Sequence, residues 1–468
     1  MKNENPAGIR RRSTAGSEPY RSFPSFCRDV YGRRLYRIAL DAGMTCPNRD
    51  GTLGRGGCAF CAGGSGDFAV AYSGQRMDIS DFTWFHGNAR PGDFIAYFQA
   101  YTSTYAPISR LRDLFEAALS DPMFAGISVA TRPDCLGLAG ETGASGAGSS
   151  GAVQETSGAG SSGAGQETSG AGSSGAVQET SGAGGHGFGR ETSGGRTPWI
   201  SGKLRPVWPD GDVVQLLAEL KERHPDKFIW VELGLQTADD QTAAFVRRGY
   251  PTALYDACTA ELIRAGIPVI THVILGLPGE SEEEMLETVR HVNGVYERAS
   301  GENGHILSGC GIKLQLLHYL AGTELGRRYL VFHKESVRKD LAGELKARSL
   351  ARDGEPVRKD LAGELKTCSL NWNGEPGLTD EPPAAGHAAG NVTDGDRALR
   401  AMTEEEYVRT VADCISVLHP DIVVHRLTGD GNSRILLAPL WSRNKRHVLN
   451  SIRHELSSRG IVQGCGRS

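Results

Sequence analysis

The chain has 468 residues, a formal net charge of −4, and 39% hydrophobic and 23% charged residues. No stretch approaches the roughly 18–20 apolar residues that a membrane span needs, so no membrane association is expected. The basic N-terminus also lacks the apolar core of a secretory signal, so a cytoplasmic location with reduced thiols is expected.

Residues 1–20 read as a disordered basic tail, in which Arg10, Arg11 and Arg12 are solvated. A core begins near Phe26, and "RLYRIAL" (Arg34–Leu40) is the first candidate strand. A second strand is expected at Phe94–Gln99. A helix follows with apolar residues at Leu111, Leu114, Phe115, Ala118 and Leu119, a spacing that fits one buried face. "GISVATRPD" (Gly126–Asp134) gives a third strand. The pattern then gives way to a block, about 138–205, in which "QETSGAGSSGA" recurs and Glu155, Glu167, Glu179 and Glu191 are evenly spaced. It holds almost no residue able to fill a core, so it reads as a flexible insertion rather than a solenoid.

Regular structure resumes with a helix through Val213, Leu216, Leu217 and Leu220, then the strand "KFIWVELGLQT" and a helix ending at Gly266. "IPVITHVILGLPGE" is a strand and turn. Ser281 with Glu284 has the capping-box spacing for the next helix. "GIKLQLLHYLAGT" is a further strand and loop. The block Val337–Pro356 then reappears as Val357–Pro376, and about 334–400 reads as a duplicated, charged insertion and linker. A C-terminal extension, 401–468, is expected to hold a helix, the strand "DIVVHRL" and a basic helix.

Strand and helix alternate six times in the core, about 21–333, which predicts an α/β fold with parallel strands joined by right-handed crossovers. A TIM-type barrel and an open doubly wound sheet both satisfy that order. In either, chemistry sits at the C-terminal ends of the strands. The unusual residues fall there: Cys46–Cys61, Gln99–Thr104, Thr131–Asp134, Glu232–Thr237, Gly276–Glu280 and Lys313–His318.

"CPNRDGTLGRGGCAFC" places Cys46, Cys58 and Cys61 in one loop with no fourth thiol nearby. Zinc would need another ligand, for which Cys27, His86 and Cys135 are the candidates. A [4Fe–4S] cluster on three thiolates would instead keep one iron open for a small molecule. Gly54, Gly56 and Gly57 let the backbone wrap closely, and Phe60 could shield the group from water. The remaining cysteines are scattered and read as packing residues. Glu232, at the end of an apolar strand, needs a partner or a function, since burying it unpaired is costly. Arg132 is one candidate partner.

These motifs resemble the radical S-adenosylmethionine (radical SAM) superfamily: the cysteine loop after the first strand, "ELGLQT" and "GLPGE". As a set, "CPNRDGTLGRGGCAFC", "IAYFQAYTSTYAP", "TRPDC", "WVELGLQT", "GLPGE", "IKLQLLH" and "HRLTGDG" are similar to the YhcC/YtqA-type proteins of its Elp3-like branch. The resemblance implies a partial (β/α)6 TIM-type barrel with a small C-terminal α/β extension. It implies that Cys46, Cys58 and Cys61 hold a [4Fe–4S] cluster whose fourth iron binds S-adenosylmethionine, which one electron splits to a 5′-deoxyadenosyl radical. On this reading Glu232 would bind the ribose hydroxyls, and Gly276, Gly279 and Glu280 would belong to the cofactor site. Gln99 and Gln236 would contact cofactor or substrate. Lys313 and His318 are the catalytic candidates on the substrate side, with His425, Arg426 and Asp430 as further ones.

The same resemblance points to the side chain of a modified tRNA wobble uridine as substrate. It also implies an electron donor such as flavodoxin or ferredoxin and, for any methyl transfer, a separate methyltransferase. The basic patch Arg443, Lys445, Arg446, His447 and Arg453 would face the RNA. Radical chemistry on a small metabolite or peptide, and a non-catalytic zinc-stabilised RNA-binding module, are the competing readings.

Overall fold

The computed structural model describes residues 18–62, 69–78, 80, 89–137, 211–301, 305–350, 399–429 and 431–467, with backbone only at 338 and 340–350. The twelve-residue repeats, the second copy of the duplicated block, Arg10–Arg12, His86 and Asp430 lie outside the described residues.

Helix α1 (Phe23–Tyr31) leads into β1 (Tyr36–Asp41). The short β2 (Val70–Ala71) and then β3 (Phe94–Phe98), α2 (Ile108–Ser120) and β4 (Phe124–Thr131) follow. Next come α3 (Val213–Arg223), β5 (Phe228–Gln236), α4 (Asp240–Phe245), α5 (Thr252–Arg264), β6 (Val269–Leu275) and α6 (Glu282–Ala299). The strand β7 (Gly311–Leu316), the short β8 (Tyr319–Leu320) and α7 (Glu324–Leu350) precede the C-terminal part. That part holds α8 (Glu404–Val417), β9 (Val423–Arg426), β10 (Leu436–Ala438) and α9 (Lys445–Ser458). The expected capping box is present at α6, where Ser281 and Glu284 each bond the other's backbone. Thr403 and Glu406 repeat it at α8.

Eight strands form one parallel sheet in the order β2-β1-β3-β4-β5-β6-β7-β9. From β1 onward neighbours follow chain order. A doubly wound sheet would reverse direction part-way, so the order decides for the singly wound, barrel-type alternative. The sheet also curls. Arg37 on β1 donates from Nη2 to His425 Nδ1 on β9 at 2.6 Å, although six strand-to-strand steps separate them. The first and last core strands therefore approach without pairing, as in a barrel left partly open.

Alternation along each strand divides the side chains. One face carries Phe98, Val129, Val231, Leu233, Val273, Ile312 and Leu314, buried with α2, α3, α5, α6 and α8 in the main core. The inner face is layered. At the N-terminal ends of the strands, Phe23, Phe26 and Cys27 of α1 pack against Ile95, Trp230, Ile270 and Val423 and plug the barrel. Pro24 in the first turn, the Ser22 cap and the left-handed Gly32 (φ 67°) delimit that helix. Towards the C-terminal ends the inward residues turn polar, and the interior opens into a cavity.

Candidate active site

The cavity has a volume of about 1020 Å³. It is lined by residues from the cysteine loop at one side round to Arg426 on β9 at the other. Of the six segments expected there, five reach it: Cys46, Cys58 and Cys61; Gln99 and Thr102; Thr131 and Arg132; Glu232 and Gln236; and Lys313 and His318. The sixth does not. Gly276, Gly279 and Glu280 are absent from the lining, and a Cβ on Gly276 would lie 2.8 Å from the sulfur of Met402. That turn is packed under the C-terminal extension. Glu280 keeps a buried Oε1 without a hydrogen-bond partner, and burial pushes its carboxyl up to about 7.

The cysteine loop is built by its own backbone and by Asn48. Leu53 N–H donates to Pro47 O at 2.8 Å, Gly57 N–H to Asn48 O at 2.8 Å, and Cys61 N–H to Cys58 O at 2.9 Å. Asn48 Nδ2 donates to Arg247 O at 2.6 Å and faces Cys58 Sγ at 3.4 Å. Arg49 Nη1 reaches Cys61 Sγ at 3.7 Å. Gly57 permits this: it has a φ of 87°, and a Cβ there would sit 2.8 Å from that same Nη1. Burial pushes the Cys58 thiol up and the Cys61 thiol to about 11, against the pull of Arg132 and Arg49. A metal must therefore drive deprotonation, as thiolate ligation generally does.

Two of the three candidate fourth zinc ligands, Cys27 and Cys135, lie among the described residues. Cys27 is in the plug at the opposite end of the barrel, and buried Cys135 donates from its sulfur to Asp134 Oδ1 at 3.6 Å. Among the described residues no group of three or more His, Cys, Asp or Glu side chains gathers around a point that would hold one ion. Three thiols spread along one wall, with Asn48 and Arg49 donors aimed at two of the sulfurs, fit a multi-iron cluster, whose ligands bind different irons.

Below the cysteine loop lies a polar layer centred on Glu232. Tyr97 Oη donates to its Oε2 at 2.7 Å, His272 Nε2 donates to the same oxygen at 2.7 Å, and Lys313 Nζ pairs with it. Ser128 Oγ donates to Oε1 at 3.0 Å. Arg132, the partner anticipated for Glu232, instead grips Asp134 through Nε at 2.9 Å and Nη2 at 2.6 Å. Burial alone would raise Glu232, but Lys313 and His272 outweigh it and hold the carboxyl well below its usual range. Burial lowers Lys313 to about 7 and His272 to about 4, with Glu232 opposing both. Three of the donors fall on Oε2 and only Ser128 on Oε1, so a ribose hydroxyl would share Oε1 with Ser128.

Above this layer Gln99, Gln236 and Gln315 face the cavity. Gln236 has a φ of 61°, unusual for a residue with a side chain, and its amide folds back over Gly234, where no Cβ stands in the way. His318 is cradled by the loop after β9. Gly431 N–H donates to His318 Nδ1 at 3.1 Å, and a Cβ on Gly429 would lie 2.5 Å from Cε1. Arg426 lines the same wall; His425 lies deeper, tilted on the Phe23 ring at 4.8 Å. Arg443 and Lys445 of the expected basic patch stand at or near this mouth, while Arg446 and His447 are exposed on α9.

The profile described as "Radical SAM superfamily" matches residues 194–292, and that of the "Radical_SAM C-terminal domain" matches 395–458. The protein YtqA of Bacillus subtilis is 30% identical over 452 residues, 95% of this chain and 92% of that one. The chain belongs to the radical SAM superfamily. The Escherichia coli protein YhcC is 25% identical over 435 residues, covering 92% of this chain and 90% of its own. A solved structure of Elp3 from Methanocaldococcus infernus, lacking its N-terminus, superposes with a TM-score of 0.42 at 10% identity, covering 92% of this chain and 65% of that one.

Members of the superfamily use a [4Fe–4S] cluster and S-adenosylmethionine. Here Cys46, Cys58 and Cys61 are the residues that would hold the cluster. When bound, the pair supplies one-electron cleavage of the sulfonium and a carbon radical able to abstract hydrogen. The chain itself walls the cavity against water with Phe60, Ile274 and Leu317, and Arg49 and Asn48 offset charge at the sulfurs. Among the described residues no helix is long and apolar enough to cross a membrane.

Proposed function

We propose that this radical SAM protein acts on the side chain of a modified uridine at the wobble position of tRNA. Cys46, Cys58 and Cys61 hold the cluster, Gln99 and Gln236 contact cofactor or substrate, and Lys313 and His318 serve the substrate. The observation that carries this reading is the sharing of one cavity. The three thiols occupy one wall, Lys313, His318 and Arg426 the other, and the space between takes a cofactor and a nucleoside together. The mouth is cationic at Arg434 and Lys445, which suits a phosphate backbone. A low-potential electron donor of the flavodoxin or ferredoxin type, a separate methyltransferase for any methyl transfer and a cytoplasmic setting complete the proposal.

Two measurements test it. Reconstitution with iron and sulfide in the absence of oxygen should give a brown protein that forms 5′-deoxyadenosine from S-adenosylmethionine and dithionite. Cys58→Ala should lose both properties, whereas Cys414→Ala, buried in α8, should keep them. Mass spectrometry of tRNA nucleosides from a strain lacking the gene should show a changed wobble-uridine profile; an unchanged profile would count against the RNA substrate.

A further inference from the structure

Three donors share Glu232 Oε2, and two of them, His272 on β6 and Lys313 on β7, are register partners on adjacent strands. Both line the cavity. The bonds on that oxygen decide what each group has left to offer. A carboxylate only accepts, and Glu232 is held ionised, so the proton of a neutral His272 ring sits on Nε2, 2.7 Å from Oε2. Burial lowers His272 to about 4, which keeps the ring neutral at physiological pH. Nδ1 is then a lone-pair acceptor. The His272 side chain is 22% exposed, and among the described residues no donor meets Nδ1. Lys313 offers the opposite. Two of its three N–H groups go to Glu232 and to Tyr97 Oη at 3.0 Å, which leaves one unspent on a side chain only 2% exposed.

The two strands therefore present an acceptor and a donor side by side, tied to one shared oxygen. A ketone, ether or phosphate oxygen brings no hydrogen for Nδ1, and an ammonium brings no acceptor for Lys313. An N–H next to a C=O, as in an amide or imide, meets both at once. Once a ligand has displaced the water, a partner left unmet costs the desolvation of that group.

We propose that His272 and Lys313 read an N–H/C=O edge of the substrate, with His272 Nδ1 accepting from the N–H and Lys313 Nζ donating to the carbonyl oxygen. The inference rests on the reading of this cavity as the place where substrate docks, and it deepens that reading. The uracil ring carries such an edge, an imide N3–H between two carbonyls.

Isothermal titration of the reconstituted full-length chain, without reductant or tRNA, tests it with two pairs of probes: uridine against 3-methyluridine, and succinimide against N-methylsuccinimide. Each pair differs only in the N–H. A site built around that hydrogen rejects the analogue lacking it, because its own polar group is left unpaired. In wild type, N-methylation should weaken binding tenfold or more. His272→Gln keeps an N–H within reach of Glu232 and has no acceptor in the place of Nδ1, so it should bind both members of a pair alike. His272→Asn keeps an acceptor near that place and should retain part of the preference. Equal binding within both pairs by wild type, a preference undiminished in H272Q, or no binding of any probe overturns the inference. Discrimination between the succinimides without binding of uridine supports the edge and removes uridine as the substrate, so the two readings fail separately.

Discussion

Lys313 on β7 and Glu232 on β5 form an ion pair across the inner face of the barrel, with side chains only 2% and 0% exposed. Such a pair is a weak source of net stability but an expensive one to break singly, because the survivor is left charged and buried. Glu232→Gln and Lys313→Met are each expected to destabilise the fold by about 3–5 kcal/mol. The double variant E232Q/K313M should recover much of that loss. Urea unfolding of the four proteins measures the coupling, and additive losses would show that the two groups do not act as a pair. If the double variant regains stability while S-adenosylmethionine cleavage stays low, the pair also serves the chemistry.

Glu280 gives the chain a pH dependence of known sign. Its carboxyl is raised from 4.5 to about 7 by burial, so the folded state holds a proton that the unfolded state has released between those values. Stability from this group is present below pH 4.5 and is lost as the pH rises through 7. Glu280→Gln should therefore be more stable than wild type at pH 8 and similar near pH 4.5. Melting curves that run parallel at both values would refute it.

The strands of the sheet were readable because each is an apolar run of the right length bounded by polar residues, as in "GISVATRPD" and "VITHVILGL". Their partners were partly readable, since consecutive parallel strands tend to lie side by side. What joins β9 to β7 was not: α7, the duplicated block and α8 lie between Leu316 and Val423, and periodicity carries no information across such a gap. Helix α1 went unassigned because "FPSFCRDVY" offers one turn of apolar residues, and its role as a plug appears only once the barrel interior exists. In the site, the cysteines and His318 were legible as polar residues beyond strand ends, whereas Glu232 and Lys313, expected at strand ends, lie within β5 and β7. Tyr97, Ser128 and His272 were missed, although each is a polar residue at an inward position of a largely apolar strand. That pattern was the available signal. The packing of "GLPGE" beneath Met402 had none, for it depends on a segment more than a hundred residues away.

His318 depends on glycine in the loop after β9. A side chain at Gly431 would collide with Nδ1 of the imidazole and remove the 3.1 Å bond that orients it. Displacements of about 1 Å can cost on the order of 100-fold in rate when a group must meet its substrate. Gly431→Ala is expected to lower substrate turnover by about 10- to 100-fold, with cluster colour and uncoupled 5′-deoxyadenosine formation retained. Full turnover in this variant would remove His318 from the mechanism; loss of colour would show that the glycine serves the fold instead.

The two ends of the first insertion meet. Val213 N–H donates to Leu136 O at 3.1 Å, and a Cβ on Gly137 would run into the carbonyl of Gly211. The core therefore already holds the chain closed at the point where residues 138–210 leave and return. Loop-closure cost grows only slowly with length, by roughly 0.6 kcal/mol per doubling. Excision of residues 140–193 should then shift unfolding by no more than about 1–2 kcal/mol in either direction, on the same scaling. Iron content, absorbance of the reconstituted protein and 5′-deoxyadenosine yield should match the full chain, because the described residues already supply a cavity running from the cysteine loop to Arg426. A colourless or unfolded product would show that the repeats contribute to the barrel, and would end their reading as a tether.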